Sequence, residues 1–132
     1  MKKIILTVAV FLTGCSTLLE SYLMKYDPNE YKLITDIRTF AGDYKNNCSN
    51  PDQSKINAKD LHLQTVNFKN YSQYLPHNSK VIAASQELEK ITNGLTVQYQ
   101  KGPVSPAFCK IKFESVEKSA ETMQKIIGDK PR

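Results

Sequence analysis

Apolar residues recur at intervals of three and four along most of this chain, and the clearest runs open on a residue that can cap a helix. One begins "DPNEY". Asp27 suits the N-cap, Pro28 the first helical position, and Glu30 stands three residues after the cap. Leu33, Ile37, Phe40 with Ala41, Tyr44 and Cys48 follow at helical spacing and predict one apolar face that ends on the cysteine. Glu30, Asp36 and Asp43 are expected on the opposite, solvated side. Turn residues in "NNCSNPD", 46–52, close this helix.

The last run repeats the logic. Ser105 caps, Pro106 takes the first position, and Cys109, Phe113, Val116, Ala120, Met123 and Ile127 follow in steps of four and three. Gly128 is expected at its C-cap, with Lys125 in the last turn. Between these two helices the pattern is mixed. In 53–76, "LHLQTVNF" partly alternates as a strand does, but Leu61, Thr65, Phe68, Tyr71 and Leu75 fit a helix that ends before Pro76. The helical reading is preferred. Asn78 or Ser79 can cap a further helix with the stripe Val81, Ala84, Leu88, Ile91 and Leu95. Asn93-Gly94 either ends or kinks it, and "LTVQYQ" after it is ambiguous. The expected fold is all-α, a small three- to four-helix bundle. Its first and last helices pack together because Cys48 and Cys109 both fall on apolar faces.

A different pattern precedes the bundle. Lys2 and Lys3 lead into nine residues, "IILTVAVFL", broken only by Thr7. That is about half the ~20 residues a membrane-spanning helix needs, and it has the flanks of a signal-peptide core. It ends on Leu12, Thr13, Gly14 and Cys15. This "LTGC" resembles the lipobox of bacterial lipoproteins, in which a large aliphatic residue and two small ones precede a cysteine. The resemblance implies that the Cys15 thiol is alkylated by a diacylglycerol, that 1–14 are removed, and that the new amino group takes a further acyl chain. Several chains together anchor a protein stably without a spanning helix. Ser16, where an aspartate would imply retention in the inner membrane, implies the outer membrane, facing the periplasm. The domains expected are then 1–14, a cleaved signal peptide; 15–26, a lipidated N-terminus and tether; and 27–132, a helical periplasmic domain. In the tether Leu18, Leu19, Tyr22, Leu23 and Tyr26 fit a helical stripe that could lie on the membrane or on the domain.

With Cys15 lipidated, Cys48 and Cys109 remain as an even pair in an exported chain, and a disulfide is expected. Two cysteines without nearby histidines do not make a zinc site. Lys2 and Lys3 supply two of the five net positive charges, and the other cations are scattered along the chain, as on a solvated surface. No nucleic acid, metal or cofactor is expected to bind.

Candidate chemistry is sparse. His62 and His77 are read as surface residues, not catalytic bases. No G-x-S-x-G, phosphate-binding glycine loop or H-E-x-x-H occurs. Glu114, Glu117 and Glu121 lie beside Lys110, Lys118 and Lys125 as surface partners. Tyr71, Tyr74 and Tyr99 stand off the strong stripes. Tyrosine suits interfaces, but a domain without Trp also uses it to complete a core, and that reading is preferred. No catalytic residue is therefore assigned.

The function expected is that of a non-enzymatic envelope lipoprotein that displays its domain to a protein partner or to peptidoglycan. A narrower form is a phage or mobile-element lipoprotein, either an outer spanin subunit or an exclusion factor. Many outer spanins, however, are shorter and proline-rich. A small peptidoglycan-acting enzyme or lysozyme inhibitor is the alternative class, although known lipoprotein lysozyme inhibitors are largely β-structured. The ending "DKPR", without a final lysine, argues against covalent attachment to peptidoglycan.

Overall fold

The structure, a computed structural model, describes residues 23–132. The expected signal peptide and Cys15 lie outside them. Four helices follow one another: α1 (Pro28–Tyr44), α2 (Pro51–Gln73), α3 (Ser79–Lys101) and α4 (Pro106–Gly128), with a 3-10 turn at Lys45–Asn47 after α1. Connections of a few residues leave an up-down-up-down bundle. The pairs α1–α4 and α2–α3 are in closest contact, so the first and last helices pack as expected.

Three of the four helices begin in the same way. Asp27, Asn50 and Ser105 each accept a hydrogen bond on the side chain from the backbone N–H three residues on, and each precedes a proline. Such a cap is worth about 1 kcal/mol. Asn50 therefore opens α2 within a stretch read from sequence only as the stop of α1. Residues 53–76 are helical up to Gln73, and "LTVQYQ" continues α3. Asn93-Gly94 does not end that helix, which runs on to Lys101, and Gly94 lies on its open face with nothing near the position of a Cβ. At Gly102 α3 does end, with φ 149°, a backbone conformation essentially confined to glycine.

The buried positions step by four and three in every helix. They are Glu30, Ile34, Ile37 and Ala41 in α1; Ser54, Ala58, Leu61, Thr65, Phe68 and Ser72 in α2, where Asn57 is also buried beside Ala58; Val81, Ser85, Leu88, Thr92, Leu95 and Tyr99 in α3; and the six sequence-predicted positions, Cys109 to Ile127, in α4. This is the seam spacing of left-handed helical packing. It corrects the expected stripes in three places, and α4 is capped by Asp129, with Gly128 still inside the helix. In α1, Ile34 is buried, Leu33 only packs against the core and Phe40 is exposed. In α2, Ser72 takes the seam, while Tyr71 and Leu75 are only half-buried. In α3, Ser85 and Thr92 occupy the seam, while Ala84 and Ile91 flank it. The seam hydroxyls are tolerated because they bond to the preceding turn: Ser85 Oγ donates to the carbonyl of Ile82 at 2.7 Å and Thr92 Oγ1 to that of Glu89 at 3.0 Å.

Candidate functional site

The bundle is closed at its two ends by different chemistry. At one end, Cys48 follows the 3-10 turn and Cys109 sits in the first turn of α4. Their Cα atoms are 5.7 Å apart and their sulfurs are bonded at 2.03 Å. Both cysteines are buried, so this disulfide joins the far end of α1 to the start of α4. Next to it, Lys45 reaches across to Glu117 at 2.6 Å. The Lys45 ammonium is held above its usual pKa chiefly by the hydrogen bond it donates to Glu117. Gly42 makes room for that carboxylate, since a Cβ there would meet Glu117 Oε1 at 2.9 Å.

At the opposite end a buried polar cluster does the fastening. Glu30 was expected to face water, yet it is wholly buried, because its position is in step with Ile34, Ile37 and Ala41. Its Oε2 accepts from Lys130 Nζ at 2.6 Å and its Oε1 from Asn78 Nδ2 at 2.6 Å. Lys130 also donates to Asn78 Oδ1 at 2.8 Å, and Asn78 Nδ2 to the carbonyl of Ser72 at 3.1 Å. Asn78 thus turns inward and does not cap α3 with its side chain. Around the cluster, Tyr71 donates its hydroxyl to Asp27, and the backbone N–H of Tyr26 donates to the carbonyl of Pro131 at 2.8 Å. The start of α1, the α2–α3 turn and the segment after α4 are therefore one connected end. Met24 is buried in the core, so the folded unit includes residues ahead of the Asp27 cap.

Glu30 and Lys130 neutralise one another and neither meets solvent, so the cluster holds the fold together without offering a reactive group. His62 is half-buried, and its Nδ1 lies 3.2 Å from Thr92 Oγ1 in the α2–α3 seam; His77 is exposed. The tyrosines divide. Tyr99 is buried and donates to Ser54 Oγ at 2.8 Å, Tyr71 is half-buried against Asp27, and Tyr74 is 89% exposed at the α2–α3 turn. Of the acidic residues on α4, Glu121 pairs with Lys125 one turn on as expected, whereas Glu117 is taken by Lys45 of the neighbouring segment. Between α1 and α4 lies a shallow polar cleft of about 370 Å³ lined by Thr35, Arg38, Asp43 and Glu117. An apolar groove of about 360 Å³ lies between α3 and α4, lined by Ala84, Leu88, Ile91, Met123 and Ile126.

Among the described residues no group of His, Cys, Asp and Glu side chains is gathered as metal ligands, and no helix is long and apolar enough to cross a membrane. Sequence reasoning missed the Glu30–Asn78–Lys130 cluster. The available signal was a carboxylate in register with an apolar stripe. The chain matches no protein-family model, no curated protein and no solved structure.

Proposed function

We propose that this chain is a lipid-anchored lipoprotein of the outer membrane, facing the periplasm, which presents its helical domain to an envelope protein or to peptidoglycan without catalysing a reaction. The observation that carries this reading is the sequence of Lys2, Lys3, the short apolar core and "LTGC", which assigns Cys15 to lipid. A bond between the two remaining cysteines suits an oxidising compartment. The bundle suits display: it is closed at both ends and α1 and α4, adjacent to the tether, are covalently joined.

The test is mass spectrometry of the chain purified from bacterial membranes, together with fractionation of the envelope. The expected species begins at Cys15, carries diacylglycerol and an amide-linked acyl chain, and sediments with outer membranes. Unmodified Cys15 overturns the anchor, and recovery with inner membranes overturns the sorting. For display, a crosslinked envelope protein or retention on purified murein is expected. Turnover of that murein would restore the enzymatic reading.

A further inference from the structure

The end of the bundle held by Glu30 and Lys130 differs from the disulfide end in what it shows to solvent. Tyr74, at the tip of the α2–α3 turn, is 89% exposed, more than any other exposed large apolar side chain of the described residues. Pro76 and His77 beside it are exposed as well. The turn is braced, so Tyr74 does not project through fraying. The backbone N–H groups of Tyr74 and Leu75 donate to the carbonyls of Tyr71 and Ser72, and Asn78 is fixed inside the buried cluster. His77 accepts a left-handed backbone, φ 54°, which costs a non-glycine residue about 1 kcal/mol. The same end carries Leu23, 40% exposed, an exposed Lys25, and Arg132 stacked 5.3 Å from the ring of Tyr26.

We propose that this end is a membrane-contacting face, with Tyr74, Pro76 and Leu23 seated among phospholipid headgroups and Lys25 and Arg132 turned towards their phosphates. The inference rests on the lipid-anchor reading. Only residues 16–22 separate Cys15 from Leu23, a reach of at most about 29 Å. Each long helix has 23 residues, or about 35 Å. A tether shorter than the bundle keeps this end, not the disulfide end, beside the bilayer. Tyrosine is suited to that boundary because its ring is apolar and its hydroxyl remains hydrated. The contact can be weak and still be occupied, because the anchor makes it intramolecular.

The chain has no Trp, so Tyr74→Trp supplies a single reporter at a solvent-exposed position. Phe108→Trp, in the first turn of α4 near the disulfide, is the matched control. Each full-length acylated variant is reconstituted into phosphatidylethanolamine–phosphatidylglycerol vesicles, with and without nitroxide-labelled headgroups. Flotation confirms attachment. The expected result is a blue shift and loss of most emission for the Tyr74→Trp reporter, with little change for Phe108→Trp. Equal quenching of the two, or none, in protein that floats overturns the proposal. So does a Tyr74→Trp reporter that stays unquenched in vesicles but shifts blue in native envelopes, which assigns this end to a protein. Failure to float indicts the anchor reading instead. The chain is then coupled through the Cys15 thiol to maleimide-bearing lipid in the same vesicles, which restores the tether; a blue shift of Tyr74→Trp there supports the contact and its absence refutes it.

Discussion

Lys130 Nζ lies 2.6 Å from Oε2 of Glu30, a hundred residues earlier, and both side chains are shielded from water. The pair closes the end of the α1–α4 hairpin that the Cys48–Cys109 bond leaves open. It also gathers the α2–α3 turn through Asn78. Two helices that are far apart in sequence are thus fixed at both ends, once covalently and once by a desolvated ion pair.

Removing one partner of that pair leaves an uncompensated buried charge. Glu30→Gln and Lys130→Met are each expected to lower unfolding free energy by about 3–5 kcal/mol. The double variant Glu30→Gln with Lys130→Met is expected to be less destabilised than the two single losses summed, because both charges leave together. Urea unfolding followed by circular dichroism measures all three. Additive losses would show that the two groups contribute independently.

The disulfide links residues 61 apart in sequence. The chain-entropy model assigns a loop of that size about 4 kcal/mol, a large part of the 5–15 kcal/mol typical of a domain. Reduction, or Cys48→Ala with Cys109→Ala, is therefore expected to lower the urea midpoint strongly while leaving helical content in water nearly unchanged. Coincident unfolding curves for oxidised and reduced protein would exclude this contribution.

How much of this was legible in the sequence follows from where the apolar signal is concentrated. The α4 seam from Cys109 to Ile127 is apolar at every step, and its register was read correctly. The α2 seam includes Ser54, Thr65 and Ser72, so the helix had to be read through a diluted pattern. The α3 seam was misread at Ser85 and Thr92 for the same reason: hydropathy favoured the neighbouring Ala84 and Ile91, but hydroxyls bonded to their own helix can occupy a seam. Glu30 was misplaced because an acidic residue at the third helical position is also good capping chemistry. Its partners Asn78 and Lys130 lie 48 and 100 residues away, beyond any local pattern. Tyr74 was legible only as a tyrosine off the stripes; its exposure depends on the path of the turn.

Ser72 provides a test of the opposite sign. Its hydroxyl is buried without a hydrogen-bond partner among the described residues, while its carbonyl still accepts from Asn78. A buried, unsatisfied polar group costs about 1–3 kcal/mol. Ser72→Ala removes the group with little change in shape and leaves the carbonyl in place. The variant is expected to be as stable as the parent or about 1 kcal/mol more stable. A clear loss of stability in urea unfolding would mean that the hydroxyl is satisfied in solution.

Tyr44 gives the bundle an alkaline dependence that can be assigned to one residue. Its hydroxyl donates to Asp60 Oδ2 at 2.6 Å across the α1–α2 contact. Desolvation, followed by the hydrogen bond and by the charges of Asp60 and Asp43, pushes its pKa from 10.0 to about 12. The fold therefore favours the neutral phenol. The stabilisation is fully present below pH 10, where the unfolded chain is also protonated, and is lost as pH rises through about 12. Lysines lose charge in the same range, so the informative quantity is the difference between parent and Tyr44→Phe. That variant forfeits the hydrogen bond at neutral pH, while Asp60 keeps the one from Gln64. Its deficit relative to the parent is expected to be constant below pH 10 and to shrink steadily between pH 10 and about 12. Urea midpoints measured across that window decide the matter: a deficit that does not narrow would mean that the Tyr44 phenol ionises no later in the fold than in the unfolded chain.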